Sequence, residues 1–146
     1  MNKVLFRTED CPMPPFKKEA ERFIRRVLAR FGFKNWELSV LFCSNRYIKT
    51  LNAQYRDKDE ATDVLSFPLG ESSPGGQYLA GDLVISLDAL EENARFFKLP
   101  VEEELRRLLV HGILHLKGDD HVTNKAGEPM LKTQEEILAS LSENAV

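Results

Sequence analysis

Residues 64–86 read VLSFPLGESSPGGQYLAGDLVIS. Val64–Phe67 is a short apolar run stopped by Pro68, and Asp82–Ser86 is a second one. Between them, Pro68–Gln77 holds two prolines and three glycines, the composition of a loop and too short for a domain linker. Two strands this close in sequence pair antiparallel, whereas strands separated by a helix pair parallel. Upstream, Trp36–Cys43 alternates, with Trp36, Leu38, Val40 and Phe42 on one face and Glu37 and Ser39 on the other, so it is a strand. Val4–Arg7 is a further short strand. Helical stripes fill the intervals. One runs from about Phe16 to Phe31 through Ala20, Phe23, Val27 and Leu28, and Gly32 ends it. Another follows a Ser44 or Asn45 cap and carries Tyr47, Ile48, Leu51 and Tyr55. Three more span about Leu87–Phe97, Pro100–Leu116 with Pro100 at the first helical position, and Pro129–Leu141. The reading is an α+β fold: a small mixed four-stranded sheet packed with about five helices.

The 146 residues suit one domain, 1–146. With 42% hydrophobic and 29% charged residues the chain is globular and not disordered. A net charge of −3 excludes a uniformly basic nucleic-acid coat but permits a local basic patch. No apolar run approaches the roughly 18 residues of a membrane span, so no membrane role is expected. Charges at Lys3, Arg7, Glu9 and Asp10 leave no signal-peptide core, so the expected location is cytoplasmic. Cys11 and Cys43 make no disulfide framework and should both be reduced.

All three histidines fall in one window, His111-Gly-Ile-Leu-His115-Leu-Lys-Gly-Asp-Asp-His121. His111 and His115 stand one helical turn apart, with their rings on one face. Gly118 can reverse the chain, and Asp119-Asp120 then returns His121 toward the pair. Three imidazoles with an open fourth position are the ligand set of a catalytic zinc-type site, and they also suit nickel or copper. The spacing matches H-E-x-x-H-x-x-G-x-x-H of metalloproteases except at residue 112, where glycine replaces the glutamate that serves as general base. The carboxylates nearest in sequence are Asp119 and Asp120. Asp120, directly before His121, is the candidate for orienting a ligating ring.

His111–His121 resembles the H-G-x-L-H-L-x-G-x-D-H motif of the YbeY family of bacterial metal-dependent endoribonucleases. Asn52-Ala-Gln-Tyr-Arg56, Thr62-Asp-Val-Leu-Ser-Phe-Pro68 and Gly81-Asp-Leu-Val-Ile-Ser86 are similar to that family's other blocks. The resemblance implies a zincin-like α+β fold and one divalent metal ion, zinc or alternatively nickel, held by His111, His115 and His121. It also implies cleavage of single-stranded RNA in ribosomal RNA maturation, with ribosome or small-subunit proteins as partners. Arg56 is the residue chosen to hold the scissile phosphate, since its planar fork fits that group at two points, and the matching family arginine is held to be functionally important. Two rivals stand beside this reading. One is a metallopeptidase, against which Gly112 counts. The other is a non-enzymatic ribosome-assembly factor with a structural metal.

Two cationic groups could form a groove toward the metal: Lys17, Lys18, Arg22, Arg25, Arg26 and Arg30 on the first helix, and Arg46, Lys49, Arg56 and Lys58. Tyr47, Tyr55 or Tyr78 could stack an unpaired base, although aromatics at helical spacing more often fill a core. Asp63 is an undecided cleft residue, and Asp82 is placed to bond backbone N–H groups at a strand start.

Overall fold

The computed structural model describes residues 1–119 and 128–143. Four strands, β1 (Lys3–Glu9), β2 (Trp36–Cys43), β3 (Val64–Ser72) and β4 (Tyr78–Ser86), form one sheet in the order β1-β2-β4-β3. The β1–β2 and β2–β4 pairs are parallel and β3–β4 is antiparallel. Each parallel pair is joined through a helix, as the connection rule requires. The helices are α1 (Lys17–Arg30), α2 (Asn45–Arg56), α3 (Leu87–Phe97), α4 (Val101–Lys117) and α5 (Pro129–Glu143).

The hairpin is longer than its composition suggests. β3 does not stop at Pro68: it continues to Ser72, and β4 begins at Tyr78. Proline removes a ladder donor, but β3 is an edge strand, where that loss is tolerated. The register slips between Pro68 and Glu71, where Gly70 has φ +69°, and Pro68 stands opposite Gly81 at φ +136°. The first half of the expected loop, residues 68–72, is therefore strand. Pro100 is likewise the N-cap of α4 and not its first helical residue, with ψ 146°.

The sheet has two unequal faces. Leu38, Val40, Phe42, Leu83 and Ile85 face the main core with α1, α4 and α5. Leu41, Cys43, Leu65 and Val84 face a smaller cluster closed by Ile48 of α2. The alternation in β2 thus hides a second buried side beneath α2. Ser44 caps α2 by accepting from the Tyr47 N–H at 3.1 Å, and Ser86 caps α3 by accepting from the Ala89 N–H at 3.2 Å.

One glycine sets the depth of α4 against the sheet. A Cβ on Gly112 would come within 2.7 Å of Leu83 Cδ2. Leu83 is fully buried and has nowhere to retreat. The side of α4 carrying Gly112, Leu109, Ile113 and Leu116 therefore sits directly on β4, and its opposite side is left to line a cleft.

Candidate active-site cleft

The cleft has a volume of about 1210 Å³ and lies between α4, the end of α2, β3, α3 and α5. α4 contributes Glu104, Arg107, His111 and His115, spaced three or four residues apart on one stripe. His111 and His115 are half-buried, with ring centroids 4.7 Å apart at 71°. Their Nε2 atoms are 3.2 Å apart. Two nitrogens that each bind one tetrahedral ion at about 2.0–2.1 Å lie about 3.4 Å from each other. The pair therefore fits a shared divalent ion in chemistry and in spacing. His111 Nδ1 meets Gln134 Oε1 at 2.8 Å, a partner for the second nitrogen such as metal-binding histidines require.

Gly118 closes α4 in the left-handed region at φ +111°, as its position predicts. Asp120 and His121, the expected orienting carboxylate and third ligand, lie outside the described residues. Among the described residues no cluster of three His, Cys, Asp or Glu side chains gathers at one point. Asp119 is engaged by Lys117 Nζ at 2.8 Å, which matches a turn residue.

Arg56, the last residue of α2, lines the cleft with Lys58. Its Nη2 donates to the Ser66 carbonyl at 3.0 Å, which anchors the guanidinium against β3. Five N–H donors make up that fork, so one anchor leaves others for an anionic group. Asp63 also lines the cleft, and its place in the site comes from an unexpected neighbour. Asn93 Nδ2 donates both to Asp63 Oδ2 at 3.1 Å and to Glu104 Oε2 at 3.2 Å, bridging two carboxylates. Glu104 is 4% exposed at its side chain, its Oε1 makes no hydrogen bond, and Arg107 Nε stands 3.8 Å away. Burial pushes the Glu104 carboxyl above the usual carboxylate range, and the Asn93 amide and Arg107 offset part of that.

Several expected members stand elsewhere. The α1 cations do not lead into the cleft. Arg25 pairs with Glu21 at 3.3 Å, and Arg26 donates to the Leu141 carbonyl at 2.9 Å. Arg22 and Arg26 border a separate cavity of about 230 Å³ between α1 and α4. Arg46 is held by Asp10 at 2.9 Å. Asp82 bonds the Ser39 hydroxyl across the β2–β4 pair and not the backbone. Tyr78 packs on Trp36 at 5.3 Å, and Tyr55 stands outside the cleft lining, edge-on to Phe67 at 5.5 Å. The aromatic residue that does line the cleft is Phe97. Both cysteines are free thiols and neither lines the cleft, so neither completes a ligand set there. Burial pushes the Cys43 thiol up to about 12, which leaves it inert.

Asn93, Glu104, Arg107 and Gln134 were not legible as site residues. Glu104 and Arg107 carried one signal, since they precede His111 by seven and four positions on the same helical stripe. Asn93 and Gln134 reach the cleft from other helices, and no spacing announces them.

Comparison with known proteins places the molecule among nucleases that cut RNA internally. A family model described as "Endoribonuclease YbeY" matches residues 4–142. The chain belongs to that family. An endoribonuclease YbeY from Treponema denticola is 52% identical, covering 81% of this chain and 79% of the relative. Another, from Persephonella marina, is 38% identical, covering 97% and 94%. The solution structure of a Thermotoga maritima protein superposes with a TM-score of 0.66 at 27% identity, covering 99% of this chain and 94% of that one. These findings identify an endoribonuclease and set aside the metallopeptidase and the non-enzymatic assembly factor. Gly112 agrees with the first exclusion. A glutamate there would be driven into Leu83 and away from the cleft.

Proposed function

We propose that the chain is a single domain that cuts single-stranded ribosomal RNA in the cytoplasm, using one divalent ion held by His111, His115 and His121. The observation that carries this reading is the meeting of the His111–His115 pair and the anchored Arg56 in one cleft. Zinc suits the imidazole donors, and nickel shares that preference. When bound, such an ion acts as a Lewis acid and lowers the pKa of a coordinated water to about 7.

The protein's own residues supply the rest. Arg56 grips the scissile phosphate through the fork donors not spent on Ser66, which fixes the strand relative to the two rings. Lys58 stands with Arg56 at the cleft and adds positive charge that draws a polyanion to an otherwise acidic protein. Asp120, directly before His121 in sequence, is the carboxylate that orients a ligating ring. Ribosomal particles and small-subunit proteins are the natural context for such a substrate.

The test is cleavage of single-stranded RNA by purified, metal-loaded protein beside His115→Ala and Arg56→Ala prepared identically. The wild type should cut, His115→Ala should not, and Arg56→Ala should lose about 10–100-fold in kcat/KM, the worth of one charge-assisted contact. Equal cutting by all three would identify a contaminant and sink the assignment. No cutting by a metal-bound wild type, on free RNA and on ribosomal particles alike, would do the same.

A further inference from the structure

Gln134 lies on α5, is 6% exposed, and sets its Oε1 2.8 Å from His111 Nδ1. An amide can face a ring with its oxygen or its nitrogen, and the two choices put the imidazole proton on different atoms. The far end of this amide decides between them. Gln134 Nε2 donates to Glu135 Oε2 at 3.3 Å, and the same carboxylate oxygen accepts from Arg107 Nη1. Turning the amide over would aim its carbonyl oxygen at an ionised carboxylate. The oxygen therefore faces His111, so Nδ1 must carry the hydrogen and Nε2 the lone pair. That Nε2 is the atom 3.2 Å from His115 Nε2.

We propose that Gln134 is a positioning residue: it holds His111 as the Nδ1–H tautomer and points its Nε2 lone pair into the cleft. Arg107 and Glu135 are the clamp that keeps the amide the right way round. The proposal rests on the reading of His111 as a metal ligand. Its tautomer part concerns the protein without metal and is measurable alone. Without this acceptor Nδ1 loses its bias toward carrying the hydrogen, and a protonated Nε2 cannot donate electrons to an ion. The contact also restrains the ring plane.

The experiment is nitrogen NMR of 15N-histidine-labelled, metal-free protein at about pH 8, where neutral imidazole predominates. Wild type, Gln134→Leu and Gln134→Glu are compared, and Zn²⁺ affinity is measured for each by chelator competition. In the wild type Nδ1 should carry the hydrogen and Nε2 should show the shift of an unprotonated nitrogen. Gln134→Leu should lose that single pattern and bind Zn²⁺ about 10–100-fold more weakly. Gln134→Glu, whose carboxylate also accepts from Nδ1–H, should restore both. Hydrogen on Nε2 in the wild type would overturn the proposal with no variant needed, as would an unchanged tautomer in a folded Gln134→Leu. A wild type with the Nδ1–H pattern but no Zn²⁺ affinity would uphold the positioning and sink the metal reading instead.

Discussion

On the sheet side of α4, Gly112 leaves no room for even a methyl group before Leu83. On the cleft side of the same helix, Glu104, Arg107 and His111 each reach partners on other helices through directed polar contacts. One side is specified by shape and the other by the direction of its hydrogen bonds. Shape tolerates exchange only of side chains of like volume. Direction tolerates exchange only of groups with the same donors and acceptors. A substitution that is mild on one side should therefore be severe on the other.

The most severe break is Gly112→Glu, which restores the metalloprotease pattern on paper. It overpacks Leu83 and buries an unpaired carboxylate, so unfolding free energy should fall by about 4 kcal/mol or more, with poor folding at 37 °C. Chemical denaturation checks it. A variant of wild-type stability would show that α4 can lift off the sheet, and the contrast between the two sides would collapse.

A smaller effect sharpens the contrast. Gly112→Ala should cost about 1–3 kcal/mol in overpacking, partly offset by about 1 kcal/mol of helix propensity. In a Leu83→Ala background the clash is gone, so the same change should become stabilising by up to about 1 kcal/mol. A double-mutant cycle reads this reversal. Additivity within about 0.5 kcal/mol would mean that Leu83 is not what excludes the side chain.

On the cleft side the next effect is a pH dependence. Glu104 has its carboxyl raised chiefly by burial. The folded chain therefore holds that proton more tightly than the unfolded one. The corresponding stability is complete below the ordinary carboxylate range and is lost as the pH rises through the raised value. Glu104→Gln removes this contribution, so its melting temperature should fall less than the wild type's between about pH 5 and pH 8. Parallel curves would show that Glu104 titrates like an exposed carboxylate. The smallest effect belongs to a residue outside both sides: Phe96, 79% exposed, should tolerate serine within about 0.5 kcal/mol.

The same division explains how far the sequence could be read. The α4 stripe, the i,i+4 histidines and the glycine stop at Gly118 all depend on local spacing, and each stands where spacing put it. The parallel and antiparallel pairings followed from what joins the strands. Pro68 misled because its effect depends on whether a strand is an edge, which is a property of the finished sheet. The cations of α1 and α2 misled because a charge count says nothing about what already engages Arg25, Arg26 or Arg46. Gln134 and Asn93 stayed hidden for a third reason. Each acts across a helix–helix contact, and sequence distance carries no record of such a contact.

The position of Gln134 on the last helix also has a bearing on biosynthesis. It follows His111 by 23 residues. At translation speeds of about 5–20 residues per second, it is added roughly one to five seconds after the ring it serves. Through that interval a growing chain has both histidines of α4 but not the amide that meets His111 Nδ1. α5 then docks through the Arg107–Glu135 pair and the Arg26 contact to Leu141, and Gln134 meets the ring. The helix made last thus carries the amide that meets a ring made well before it, so this contact waits on the docking of α5.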